Sequence, residues 1–164
     1  MDRRDFVRAA AIVAGTTLVG CLGNGREVNG HLEYDDVRVP LIDTPSAGEW
    51  HEEGSAEFFD ARNASSYESV HIAGAELSPA PDGETDNDPS EDLSPDTRIV
   101  TYCRCPHSMS GSRAANLLRA GFESVYVLDE GLDDWVDRGY PIEGTDANGE
   151  LSSADLGTPA YRDE

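Results

Sequence analysis

Between residues 98 and 121 an apolar run ends on a cysteine, and a loop of small residues then opens a helical pattern. Arg98-Ile99-Val100-Thr101-Tyr102 is short, rich in β-branched and aromatic residues and bounded by polar turn residues, which predicts a buried strand. Beyond Cys103-Arg104-Cys105-Pro106-His107-Ser108-Met109, either Ser110 or Ser112 can cap a helix that carries Ala114, Ala115, Leu117 and Leu118 and stops at Gly121. A thiol between a strand end and a helix start meets unpaired backbone N–H groups and the positive end of the helix dipole. Such a setting favours the thiolate, so the local pattern alone predicts a reactive, anion-stabilising cysteine.

The rest of the chain repeats the same alternation. Pro40-Leu41-Ile42 reads as a strand, 47–53 as a weak helix with Trp50 on one side, and Glu57-Phe58-Phe59-Asp60 as the next strand, running into Ala61-Arg62. A loop with Tyr67 leads to His71-Ile72-Ala73-Gly74-Ala75-Glu76-Leu77. From Pro79 to Thr97 the chain is acidic and proline-rich, a surface excursion with at most a short helix near 91–93. Ser124-Val125-Tyr126-Val127-Leu128 is another strand, followed by a short helix over 131–136 that ends at Gly139 before Pro141. Strands alternating with short helices predict an α/β fold, a mainly parallel sheet with helices on both faces. Ligands of such sheets sit at the carboxyl ends of strands, where Cys103 falls. The 164 residues suit one domain with tails: 1–23 a targeting segment, 24–36 a linker, 37–144 the folded domain and 145–164 a disordered acidic tail.

Charge removes one class of function. There are 33 acidic residues against 12 basic ones, a net −21, and every basic residue is arginine. A polyanion would be repelled and no basic stripe offsets this, so nucleic acid is not an expected partner. The surface reads as that of a salt-adapted, halophilic protein: at molar salt the Debye length is only about 3 Å, and self-repulsion costs little. At the N-terminus, Arg3-Arg4-Asp5-Phe6 places twin arginines before a short apolar stretch over 9–20, too brief for a membrane span. Leu18-Val19-Gly20-Cys21 resembles a lipoprotein box. The expectation is export by the twin-arginine route, lipidation of Cys21, and an extracytoplasmic domain anchored to the membrane. The sequon Asn63-Ala64-Ser65 is consistent with export. Cys103 and Cys105 remain as the thiols of the folded part, and two cysteines one residue apart make no disulfide scaffold.

With these pieces in place, the chain from about Val39 to Glu143 resembles the rhodanese-like (sulfurtransferase) domain family. The matching residues are Phe59-Asp60-Ala61-Arg62, Tyr67, His71-Ile72-Ala73-Gly74-Ala75, the strand ending Tyr102-Cys103, Arg113-Ala114-Ala115-Asn116-Leu117-Leu118 with Gly121-Phe122, and Glu130-Gly131-Leu132-Asp133-Asp134-Trp135 running to Gly139-Tyr140-Pro141. The resemblance implies a three-layer α/β domain whose loop cysteine takes sulfane sulfur from a small-molecule donor such as thiosulfate, holds it as a persulfide and passes it to an acceptor thiol. It calls for no cofactor and no metal. Counting back from Ala114-Ala115 at the family's usual loop spacing lands on Cys105, whereas the strand register points to Cys103. The Cys-x-Cys-Pro loop is thus two residues longer, like an extended-loop subgroup, and Cys103 is the favoured nucleophile.

Around that loop, Ser108, Ser110, Gly111 and Ser112 are small enough for the backbone to curl and aim its amides inward. Arg104 and Arg113 are candidates to bind the sulfonate end of a donor, and His107 to assist proton transfer. Asp60, Arg62 and His71 are expected to hold the supporting strands together, with Asp60 able to line the pocket. Four rival readings remain. A phosphatase of related fold needs an arginine six residues after its cysteine, yet Met109 or Gly111 stands there. A dithiol redox protein would use Cys103 and Cys105. Metal binding by Cys103, Cys105 and His107 lacks a clear fourth ligand. The fourth reading is a non-catalytic module that keeps the fold for binding.

Overall fold

A computed structural model of the chain describes residues 30–83, 86–104 and 107–157. The expected targeting segment with Cys21, residues 24–29 of the linker, Cys105 and the last seven residues lie outside these.

The chain opens with β1 (His31–Tyr34) and β2 (Val37–Ile42), an antiparallel hairpin that turns over Asp35 and Asp36. Helix α1 (Thr44–Glu53) follows, capped by Asp43, whose carboxylate accepts the Ser46 N–H at 2.7 Å, and closed by Gly54 in the left-handed region. Then come β3 (Glu57–Asp60), the short α2 (Ala64–Ser69) capped by Asn63, β4 (His71–Ile72) and β5 (Glu76–Leu77). The acidic excursion intervenes before β6 (Arg98–Tyr102), α3 (Ser108–Arg119), β7 (Ser124–Leu128), α4 (Gly131–Asp137) and β8 (Ile142–Glu143). A 3-10 turn over Ser153–Leu156 closes the described chain.

Six strands form one sheet in the order β1-β2-β7-β6-β3-β5, parallel throughout except for the β1 edge, while β4 and β8 pair antiparallel beside it. The period of two along each strand assigns its side chains to opposite faces. Val39 and Leu41 of β2, Phe59 of β3, Ile99 of β6, and Val125 and Val127 of β7 pack with Ala114, Ala115 and Leu117 of α3. Their neighbours Ile42, Phe58, Val100, Tyr102 and Leu128 pack on the other face with Ala47 of α1 and with Leu132, Trp135 and Val136 of α4. The result is the expected α/β fold, a mainly parallel sheet with helices on both faces.

Two stretches differ from their sequence reading. Residues 24–36 read as a linker, yet from His31 the chain is a strand: β2 satisfies its backbone, and Leu32 and Tyr34 pack onto the α3 side of the core. Four residues of alternation are too few to stand out against a polar background. The stretch 145–164 reads as a loose tail, yet Leu151 and Leu156 pack against the α4 side of the core, and the Ser153 N–H and hydroxyl donate to the Asp137 carboxylate at 2.6 and 2.7 Å. Two isolated leucines give no period, but each finds an apolar neighbour once α4 is in place.

Candidate functional site

Cys103 follows the last residue of the central strand β6, and its side chain is buried and unpaired by any disulfide. The chain then loops to α3, whose N-cap is His107 in the left-handed region at φ 71°. Neither serine named as a cap fills that role. The helix begins one turn earlier than the small-residue pattern suggests, so Ser110 falls inside its first turn, fully buried, with its Oγ 3.2 Å from Cys103 Sγ. Thr101 donates to the Ser110 carbonyl at 2.9 Å, which ties the strand to the helix just below the sulfur. This is a thiol at the amino end of a twelve-residue helix, with a hydroxyl in contact and the helix dipole favouring negative charge.

The back wall comes from α4. The Leu132 N–H donates to the Cys103 carbonyl at 2.9 Å. Gly131, at φ 70°, allows the approach: a Cβ there would sit 2.6 Å from the Arg104 carbonyl oxygen and 2.7 Å from that of Cys103. On the α3 side, Gly111 leaves room for Tyr34, whose hydroxyl lies 3.5 Å from the His107 carbonyl. Burial first, and then the nearby Cys103 charge, push the Tyr34 hydroxyl pKa up. Tyr34 was not among the residues expected here, because it lies in the stretch read as linker. The only sequence signal is the apolar alternation of Leu32 and Tyr34.

Both arginines proposed as anion ligands are engaged elsewhere. Arg104 grips Asp133 with Nε and Nη2 at 2.7 and 3.1 Å and donates through Nη1 to the Leu156 carbonyl at 2.8 Å. Arg113, expected to bind the sulfonate end of a donor, is buried; it donates to Ser78 Oγ at 2.8 Å and to the Asp88 carboxylate at 2.8 and 3.1 Å. Burial lowers the Arg113 pKa against the opposing pull of Asp88. The acidic excursion therefore supplies the partner of a buried guanidinium, which its composition does not reveal. His107 Nε2 lies 3.2 Å from Asp129 Oδ1 at the end of β7. Ser108 opens α3 exposed to solvent, and Gly111 is buried in its first turn.

Beneath the loop lies a buried polar network. Asp60 is fully buried and accepts from Arg62 Nε and Nη2 at 2.9 and 2.6 Å, while Arg62 also donates to the Val70 carbonyl. Burial pulls the Arg62 pKa down, but the hydrogen bond and charge of Asp60 outweigh it and hold the guanidinium above its ordinary value. The Tyr102 hydroxyl accepts the Ile72 N–H at 3.1 Å, and burial raises its pKa well above normal. His71 stacks on Tyr67 at 3.9 Å and bonds the Tyr67 carbonyl through Nδ1. These contacts join β3, β4 and β6 under Cys103. Among the described residues, no three His, Cys, Asp or Glu side chains are grouped so as to hold a metal ion.

Residues 33–138 match the family described as Rhodanese-like domain. A rhodanese-like domain from Anabaena sp., solved by NMR, is similar with a TM-score of 0.58 and 28% identity, over 76% of this chain and 87% of that one. A protein from Bacillus halodurans is similar with a TM-score of 0.57 and 25% identity, over 65% and 77% of the two chains. The polysulfide-sulfur transferase homodimer from Wolinella succinogenes matches at 16% identity with a TM-score of 0.52, over 66% and 80%, a likeness of fold alone.

Proposed function

Since the chain belongs to the rhodanese-like domain family, we propose that it is a sulfurtransferase that carries sulfane sulfur as a persulfide on Cys103. The observation that carries this reading is the placement of a buried, free thiol at the carboxyl end of β6, in contact with Ser110 in the first turn of α3. The Cys103 thiolate attacks the outer sulfur of a donor, the donor's bond to that sulfur breaks, and the remainder leaves with the electron pair. The sulfur held on Cys103 is a single negative charge when ionised, which the amino end of α3 and the Ser110 hydroxyl favour. An acceptor thiolate then takes the outer sulfur and regenerates Cys103. The strand register favours Cys103 over Cys105 within the extended Cys-x-Cys-Pro loop.

Intact mass spectrometry of the reduced protein tests this, with and without a sulfane-sulfur donor, alongside Cys103→Ser and Cys105→Ser. One added sulfur that persists in Cys105→Ser and vanishes in Cys103→Ser is the expected result. A full gain of sulfur by Cys103→Ser would move the nucleophile elsewhere. No gain in any form, with ready loss of two hydrogens on mild oxidation, would replace the reading with a dithiol redox protein.

The same proposal places the domain outside the cytoplasm of a salt-adapted cell, exported through the twin-arginine segment and anchored by lipid on Cys21. The motifs at residues 3–8 and 18–21 support it. Membrane fractionation checks this: wild type should sediment with membranes and Cys21→Ser should be released, whereas an intact N-terminus on a soluble cytosolic protein would overturn it.

A further inference from the structure

The charges around Cys103 bear on which donor it takes. Seven arginines fall among the described residues, Arg38, Arg62, Arg98, Arg104, Arg113, Arg119 and Arg138, and the chain has no lysine. Six of the seven are paired to a carboxylate within 2.8 Å. The seventh, Arg98, lies over the Trp50 ring at the far end of β6, five residues of strand from Cys103, or roughly 16 Å at about 3.3 Å per residue. The nearest guanidinium in sequence, that of Arg104, has three N–H groups committed, two to Asp133 and one to Leu156. His107 faces Asp129. Carboxylates crowd the same edge of the sheet: Asp43 follows β2, Asp60 ends β3, and Asp129 and Glu130 follow β7.

A doubly charged anion would thus have to dock where, among the described residues, every nearby cation already holds a carboxylate. Salt does not remove this obstacle, because at molar ionic strength screening acts beyond about 3 Å and leaves contact-range pairing decisive. A single negative charge is a lesser demand, met by the helix dipole and the Ser110 hydroxyl. From this we infer that the donor is an organic persulfide, R–S–SH, bearing at most one charge on its sulfur, rather than the dianion thiosulfate. The inference rests on the persulfide-carrier reading above and narrows its substrate. The step balances: Cys103–S⁻ attacks the terminal sulfur of R–S–SH, the R–S to S bond breaks, and Cys103–S–SH and R–S⁻ result, with no net oxidation. Asp133 is the specificity-determining residue, because it holds the guanidinium nearest the nucleophile in sequence out of use.

The test is the rate at which the full-length protein gains one sulfur, followed by intact mass in molar KCl. Equal concentrations of thiosulfate and of 2-hydroxyethyl persulfide are compared, and the gain by Cys103→Ser is subtracted. Wild type should load from the persulfide about tenfold faster or more, the scale of one charge-assisted hydrogen bond. Asp133→Asn should raise loading from thiosulfate several-fold and change the persulfide rate little, and Asp88→Asn offers a second release, of Arg113. Loading of wild type from thiosulfate as fast as from the persulfide would overturn this inference and leave the carrier reading standing. Failure of Cys103 to load from either donor would sink the carrier reading, and this inference with it.

Discussion

At the scale of single residues, the site depends on how closely two backbones approach. Gly131 lets α4 press its first turn onto the Cys103 and Arg104 carbonyls, so that the Leu132 N–H can reach the Cys103 oxygen. Any side chain there meets backbone, which cannot swing aside, and must also adopt a left-handed φ. Gly131→Ala is expected to cost roughly 2–5 kcal/mol, about 1–2 from the backbone conformation and about 1–3 from overpacking. For a chain of this size that is a fall in Tm of about 4–20 °C. Thermal unfolding followed by circular dichroism checks it, and an unchanged Tm would mean that the approach is not needed. Cys103, by contrast, is replaceable without such strain, because its serine analogue keeps size and rotamer freedom and removes only the sulfur chemistry.

At the scale of elements, the C-terminal strap is held by carboxylates. Asp137 accepts the Ser153 N–H and hydroxyl, and Asp155 accepts those of Ser152. These backbone and hydroxyl bonds hold both carboxyls below their ordinary range. Groups whose folded pKa is depressed contribute above the unfolded value of about 3.9 and lose that contribution as pH falls through the lower folded value. The strap, which also anchors Arg104 through the Leu156 carbonyl, should therefore loosen in acid. Amide exchange, corrected for its intrinsic pH dependence, should rise over residues 151–157 as the pH drops below about 4, while β6 and β7 stay protected. Equal protection of the strap on both sides of that pH would show that its leucines alone hold it.

For the whole molecule, the net charge of −21 sets the conditions of folding. Surface carboxylates repel one another at distances that only concentrated salt screens. Raising KCl from about 0.1 M, where the Debye length is ~10 Å, to molar concentration should raise the Tm. A gain of a few kcal/mol corresponds to about 10 °C for a chain of this size. A Tm independent of salt would remove the halophilic reading. At the same scale, so few arginines among so many carboxylates end up paired wherever the described chain brings the two together.

Local pattern determined the layers and the place of Cys103. β-Branched runs with a period of two could only be strands covered on both faces, and a cysteine between such a strand and a small-residue helix start had to sit at the carboxyl edge of the sheet. The period also assigned Phe58 and Phe59, or Val100 and Ile99, to opposite cores, because it depends on neighbours in the chain and on nothing else. Tertiary structure alone decided the partners. Arg104 meets Asp133 and Leu156, Arg113 meets Asp88, His107 meets Asp129, and Tyr34 reaches Gly111 across separations of 22 to 77 residues, none of which leaves a local period. A guanidinium looks the same in sequence whether it is free for a substrate or bound to a carboxylate. Which of the two it becomes depends on which carboxylates the fold brings within contact range, and that is settled only when the sheet and its helices close around it.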